Sequence, residues 1–175
     1  MSWQALSDET RALFDRLLAE YPGAVIAGGA VRDALLGYPI SDVDLWIDVA
    51  SGVELGLESD SSAAEYEVMD QVGRVVAVLK AEHEWCPYPV HVMLVTMYVP
   101  GRVGVTAAVD RFDYGLCKVG YDGEVVLTSD FLRDLNARRL TLLNEAYTSP
   151  ARYEKLKAKF EGWEIDAPKS VEGGK

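Results

Sequence analysis

Residues 24–48 read AVIAGGAVRDALLGYPISDVDLWID and hold two groups of residues that could do chemistry together. In the first, an apolar stretch ends in Gly28-Gly29 and enters a helical pattern. A strand that passes through two glycines into a helix exposes backbone N–H groups with no side chain in the way. The positive end of the helix adds to them, and the result is an anion site suited to a polyphosphate. Alone, such a pair more often marks a tight turn. In the second, Asp42 and Asp44 stand two residues apart in a strand-like run, so both carboxylates project from one face. Two like charges that close repel unless a cation with oxygen ligands neutralises them. For an isolated pair, an exposed edge strand with a polar face is the better explanation.

These residues need elements to position them. Leu13, Phe14, Leu17 and Leu18 recur at helical spacing after Ser7, with Gly23 as a stop. Ala24–Ala27 is a short strand, Ala30–Leu36 a helix closed by Gly37, and residues 42–49 alternate like a half-buried strand. The acidic, Ser-rich run 51–73 reads as a loop or a short helix over Ala63–Met69. Val75–Lys80 and Val90–Met97 read as strands on either side of a Pro-marked turn, and Val105–Phe112 as a helix. Leu116–Tyr121 and Glu124–Leu127 flank Asp122-Gly123, a hairpin signal. Ser129 caps a helix to about Arg139, and Ser149-Pro150 opens another that runs to about Gly162. Together these give an α+β domain with a mixed β-sheet and flanking helices, spanning residues 1–165, and a flexible tail over 166–175.

The chain has 175 residues and a formal net charge of −11, from 28 acids and 17 bases. Such a surface repels a nucleic-acid backbone unless its bases are gathered locally. Between Asp130 and Phe160 seven bases face four acids, while Ser41–Gly73 holds nine acids and no base. The only cysteines, Cys86 and Cys117, suggest neither a disulfide framework nor a zinc ribbon. His83, Cys86, His91 and Cys117 fit no usual zinc spacing. The N-terminus does not read as a signal peptide and no run is long enough to span a bilayer, so a cytoplasmic protein without membrane contact is expected. Trp46, Trp85 and Tyr114 could stack a base, although buried aromatics are commoner.

Gly28-Gly29-x-Val31-Arg32-Asp33, then Leu35-Leu36-Gly37, a short spacer and Asp42-x-Asp44 resembles the head domain of the bacterial-type poly(A) polymerases and tRNA CCA-adding nucleotidyltransferases. A looser likeness continues through Asp110–Val125, where Arg111, Asp113, Tyr114 and the Asp122-Gly123 turn match a later family motif. Arg152 alone matches on the final helix. The resemblance covers residues 24–160. It implies the nucleotidyltransferase fold and transfer of a nucleotidyl group from a nucleoside triphosphate such as ATP. Asp42 and Asp44 would be catalytic and bind Mg²⁺ or Mn²⁺, while Gly28, Gly29 and Arg32 would bind phosphate. Arg111 and Asp113 would place base or ribose, and Arg152 would complete the nucleotide site. The family supplies a third carboxylate where His91 stands here, so Asp70, Asp110 or Asp113 would replace it, His91 would favour another metal, or catalysis would be weak or lost. The acceptor stays open among an RNA end, a protein side chain and a small molecule. The alternative function is a degenerate nucleotide- or protein-binding module.

Overall fold

The computed structural model describes residues 4–49, 73–97 and 103–172. Helix α1 (Asp8–Glu20) starts at Ser7, whose side chain accepts from the Thr10 N–H, and turns Phe14 and Leu17 into the core. Strand β1 (Val25–Ala27) runs through Gly28 into α2 (Gly29–Leu36), which Gly37 closes in the left-handed region at φ 75°. Strands β2 (Val43–Asp48), β3 (Gly73–Ala81) and β4 (Val90–Met97) follow. Of the expected 51–73 loop or helix, residues 51–72 lie outside the described residues and Gly73 opens β3.

Helix α3 (Val105–Val109) stops short of the expected Phe112. The Phe112 N–H bonds the Val109 carbonyl in a closing turn that sends Arg111 and Phe112 inward. Strands β5 (Val119–Tyr121) and β6 (Val125–Leu127) form the expected hairpin. Residues 115–117 form a short 3-10 turn instead of extending β5. There the Asp134 carboxylate packs 2.5 Å from where a Gly115 side chain would begin.

Helix α4 (Ser129–Ala137) is capped by Thr128, one residue before the expected Ser129, because Thr128 Oγ1 accepts from the Phe131 N–H. Its end falls at Arg138, in the left-handed region. A small parallel pair, β7 (Arg139–Leu140) and β8 (Glu164–Ile165), brackets α5 (Pro150–Lys159), and α6 (Lys169–Glu172) closes the described chain. Asp166, the first residue of the expected tail, is anchored: its carboxylate holds Arg139 and the Leu142 N–H, and its carbonyl accepts from the Tyr114 hydroxyl.

The main sheet runs β3-β4-β2-β1-β5-β6, with β2 and β4 parallel and the other pairs antiparallel. One face packs Ile26, Leu45, Ile47, Val92 and Leu94 against α1, α2 and Leu156 of α5. The other face packs Val25, Ala27, Trp46, Met93 and Val95 against α3. A large side chain as fully buried as Phe14 contributes about 1.5–3 kcal/mol. Strand β2 is therefore not half-buried as its alternation suggested: Leu45 to Asp48 are all buried. It lies between two neighbours in the sheet with helices on both faces, and only its start is open. Asp44 sits at that open end.

Candidate active site

A cavity of about 330 Å³ opens where the β1–α2 turn, the start of β2, residues 111–113 and α5 meet. The residues that the resemblance gives to phosphate, metal and nucleotide line it: Gly28, Gly29 and Arg32; Asp42 and Asp44; Arg111, Asp113 and Arg152. Residues drawn from four separate stretches of chain thus converge on one space.

Gly28 takes φ 96°, ψ −131°, a conformation that only glycine adopts without strain. A Cβ there would also stand 3.0 Å from the Phe112 ring. The Gly28 N–H donates to the Val119 carbonyl, which joins the turn to β5 and occupies that donor. The N–H groups of the first turn of α2 have no intrahelical partner, so the backbone donors left open to an anion are those of Gly29 and its successors rather than that of Gly28.

Asp42 and Asp44 are both half-buried at the mouth of β2. Asp42 Oδ1 accepts from the Ser41 hydroxyl at 3.1 Å. Asp44 pairs in register with His91 across the parallel β2–β4 ladder, and His91 Nδ1 lies 3.2 Å from Asp44 Oδ1. That hydrogen bond, aided by the charges of Asp44 and Asp42, raises the His91 pKa against the opposing effect of burial. The other acids suggested for the third position do not reach it. Asp113 is committed to Arg152, Asp110 does not line the cavity, and Asp70 lies outside the described residues. Among the described residues, no group of three His, Cys, Asp or Glu side chains could hold a metal ion. Two carboxylates facing a phosphate cradle still suit a hard cation that keeps its waters and shares substrate phosphates, which is the usual way Mg²⁺ is bound.

Three arginines line the cavity in different states. Arg32, 5% exposed, donates through Nε to Asp33 Oδ1 at 2.8 Å and through Nη1 to Cys117 Sγ at 3.1 Å. Its expected phosphate-binding face is thus already engaged. Arg152 grips Asp113 with Nε and Nη2, so the carboxylate expected to meet base or ribose is turned to an ion pair. Arg111, 6% exposed, has buried Nε and Nη1 atoms without a hydrogen-bond partner among the described residues, and its guanidinium carbon sits 5.8 Å from the Trp46 ring centre. The buried Trp46 Nε1 is also unpaired. Each such donor costs about 1–3 kcal/mol in an otherwise complete interior.

Cys117, weighed above only as a zinc ligand, and Lys155 and Lys159, counted above only among the gathered bases, are also on the cavity wall. Lys159 bonds Asp33, while Lys155 has no ion pair among the described residues and offers a free cation at the rim. The helical spacing of Arg152, Lys155 and Lys159 was the available signal, since i, i+3 and i+7 share one helix face. Of the possible base-stacking rings, Trp46 lines the cavity; Trp85 stacks on His83 and under Arg16 elsewhere, and Tyr114 is fully buried. His83 bonds Tyr21 and Glu20, away from the zinc quartet considered above.

The fold is the nucleotidyltransferase fold. A CCA-adding enzyme from Bacillus stearothermophilus, solved with CTP, superposes with a TM-score of 0.53 at 18% identity, covering 89% of this chain and 41% of that one. The Thermotoga maritima CCA-adding enzyme in complex with tRNA gives 0.53 at 15% identity, covering 98% and 44%. A CCA-adding enzyme in a ligand-free form gives 0.57 at 14%, covering 94% and 43%. The chain thus spans less than half the length of these structures. No curated protein matches it in sequence. The sequence model of the Gabija anti-defense 2 family matches residues 3–138, well over half of the chain, and the chain belongs to that family. Among the described residues no helix is long and apolar enough to cross a membrane.

Proposed function

We propose that the chain transfers a nucleoside monophosphate from a nucleoside triphosphate to an acceptor hydroxyl, and that its family's anti-defense role is carried out by this transfer. The observation that carries the reading is the convergence of Gly29, Asp42 and Asp44 on one cavity whose opposite wall is cationic. The first turn of α2 cradles the triphosphate through its free N–H groups. Lys155, and the side of Arg152 that faces away from Asp113, draw in the phosphates and offset their charge. Asp42 and Asp44 would hold Mg²⁺ or Mn²⁺, which when bound supplies charge neutralisation at the phosphorus and a lower pKa for the attacking hydroxyl. The His91 hydrogen bond orients Asp44 toward that position. ATP is one candidate donor among the four nucleotides. The family name points to a component of the Gabija defence as the setting of the acceptor.

A second reading, a nucleotide-binding module without transfer, draws on one observation: His91 bonds Asp44 where the family resemblance calls for a third carboxylate. The two readings separate by incubating the protein with each α-labelled triphosphate, Mg²⁺ or Mn²⁺, and host protein and RNA extracts. Transfer predicts labelled macromolecule with wild type and a drop on the order of 10²–10³-fold or more with Asp42→Ala/Asp44→Ala. Nucleotide binding without label in any extract supports the binding module. The absence of both binding and label contradicts either reading.

A further inference from the structure

A second cavity, of about 340 Å³, lies between α1 and the β3–β4 turn and shares no lining residue with the first. Ala12, Leu13 and Arg16 of α1 form one side, and Trp85, Pro87 and Tyr88 of the turn form the other. Trp85 is fixed in advance. The Arg16 guanidinium carbon sits 4.1 Å from its ring centre, and the His83 ring stacks on it at 5.0 Å and 30°. His83 is held in turn by the Tyr21 hydroxyl at 3.1 Å and by Glu20 at 3.3 Å. The Trp85 indole N–H and the Tyr88 hydroxyl have no hydrogen-bond partner among the described residues. Unlike the Trp46 indole nitrogen, neither is closed off from solvent. On the same two elements Asp8, Glu9, Glu82 and Glu84 are exposed and form no ion pair among the described residues. Arg16, the base among the lining residues, is taken up by Trp85 and Glu20. The groove is thus aromatic, lined with donors and acidic.

We propose that this groove docks an extended, proline-bearing segment of a protein, with an arginine or lysine beside its prolines. The proposal goes beyond nucleotidyl transfer and does not depend on it. A polyproline-type segment has no internal hydrogen bonds, so its carbonyl oxygens are free to accept from Trp85 and Tyr88. A helical segment uses its carbonyls internally and would leave both donors unmet. Pairing as an added strand needs a sheet edge, and no strand residue lines the groove. Proline rings pack well on aromatic walls, and a segment that is already extended loses little entropy on binding. The fixed Trp85 keeps that cost low on this side as well. The unpaired carboxylates select the basic flank and repel a nucleic-acid backbone.

The test is selection by the full chain from displayed libraries of Pro-x-x-Pro segments with arginine or lysine at one flank. Parallel libraries carry glutamate at that flank, or alanine in place of the prolines. Binders are expected from the basic proline library alone. For a selected peptide, Trp85→Ala should raise the Kd about tenfold or more, as loss of a central aromatic anchor does. Tyr88→Phe removes one hydroxyl and keeps the ring, and should raise it about threefold to tenfold. Glu9→Lys should raise it about threefold. Circular dichroism checks that each variant folds, and if Trp85→Ala does not, Tyr88→Phe decides. No binder from the basic proline library, or binders equally from the alanine or glutamate libraries, overturns the proposal. So does a selected peptide whose Kd is unchanged in the folded variants. A short RNA that displaces the selected peptide overturns the choice of a protein partner.

Discussion

At the α5 end of the cavity, Arg32 is held by Asp33 and Cys117, Lys159 by Asp33, and Arg152 by both oxygens of Asp113. At the Trp46 end, Arg111 is as deeply buried as Arg32 yet two of its nitrogens have no hydrogen-bond partner among the described residues. The first end is a closed ionic lattice that joins α2, residues 113–117 and α5. The second is incomplete among the described residues. A charge with a partner answers to the fold, and a buried charge without one weakens the fold and answers to something that arrives.

Asp33→Ala should break the lattice most severely. It leaves the buried Arg32 without its carboxylate and releases Lys159, at a cost of about 3–5 kcal/mol. Urea unfolding followed by circular dichroism measures it; a loss under about 1 kcal/mol would mean that the pair is not part of the framework. Arg111→Met should go the other way. Removing two unpaired donors while keeping an apolar stem leaves stability unchanged or raises it by about 1 kcal/mol. A loss as large as that of Asp33→Ala would erase the distinction between the two ends.

The smallest effect concerns pH. Burial first of all pushes the Tyr114 and Tyr121 hydroxyls up to about 12. Between pH 10 and 12 the unfolded chain then binds fewer protons than the folded one, so their contribution, full below pH 10, is lost as pH rises through that window. Thermal unfolding should show Tm falling there, and Tyr121→Phe should flatten part of the slope. A Tm that is level to pH 12 would contradict the assignment.

The parts of the site that were legible in sequence are local. Gly28-Gly29 and the Asp42/Asp44 pair depend on spacings of one or two residues, and strand and helix periodicities fix where such residues point. The Gly37 stop and the Asp122-Gly123 hairpin were readable for the same reason. What escaped depends on long-range partners. Nothing near Asp113 announces that Arg152, 39 residues on, will take both of its oxygens. Likewise Cys117 meets Arg32 across 85 residues. The Gly28 N–H was assigned to phosphate because its donation to Val119 depends on β5 lying beside β1. Strand β2 looked half-exposed because its polar positions, Asp44 and Asp48, alternate with apolar ones, whereas its central place in the sheet buries Asp48 as well. The Thr128 cap was passed over for Ser129 because serine is the more common cap and only the backbone shows that Thr128 takes the role.

The most direct test of the central claim is a structure of the protein with a nonhydrolysable nucleoside triphosphate and Mg²⁺. The account predicts the triphosphate against the N–H groups of α2, with metal shared between its phosphates and the Asp42 and Asp44 carboxylates. A nucleotide bound elsewhere, or one in this cavity with neither carboxylate on its metal, would contradict it.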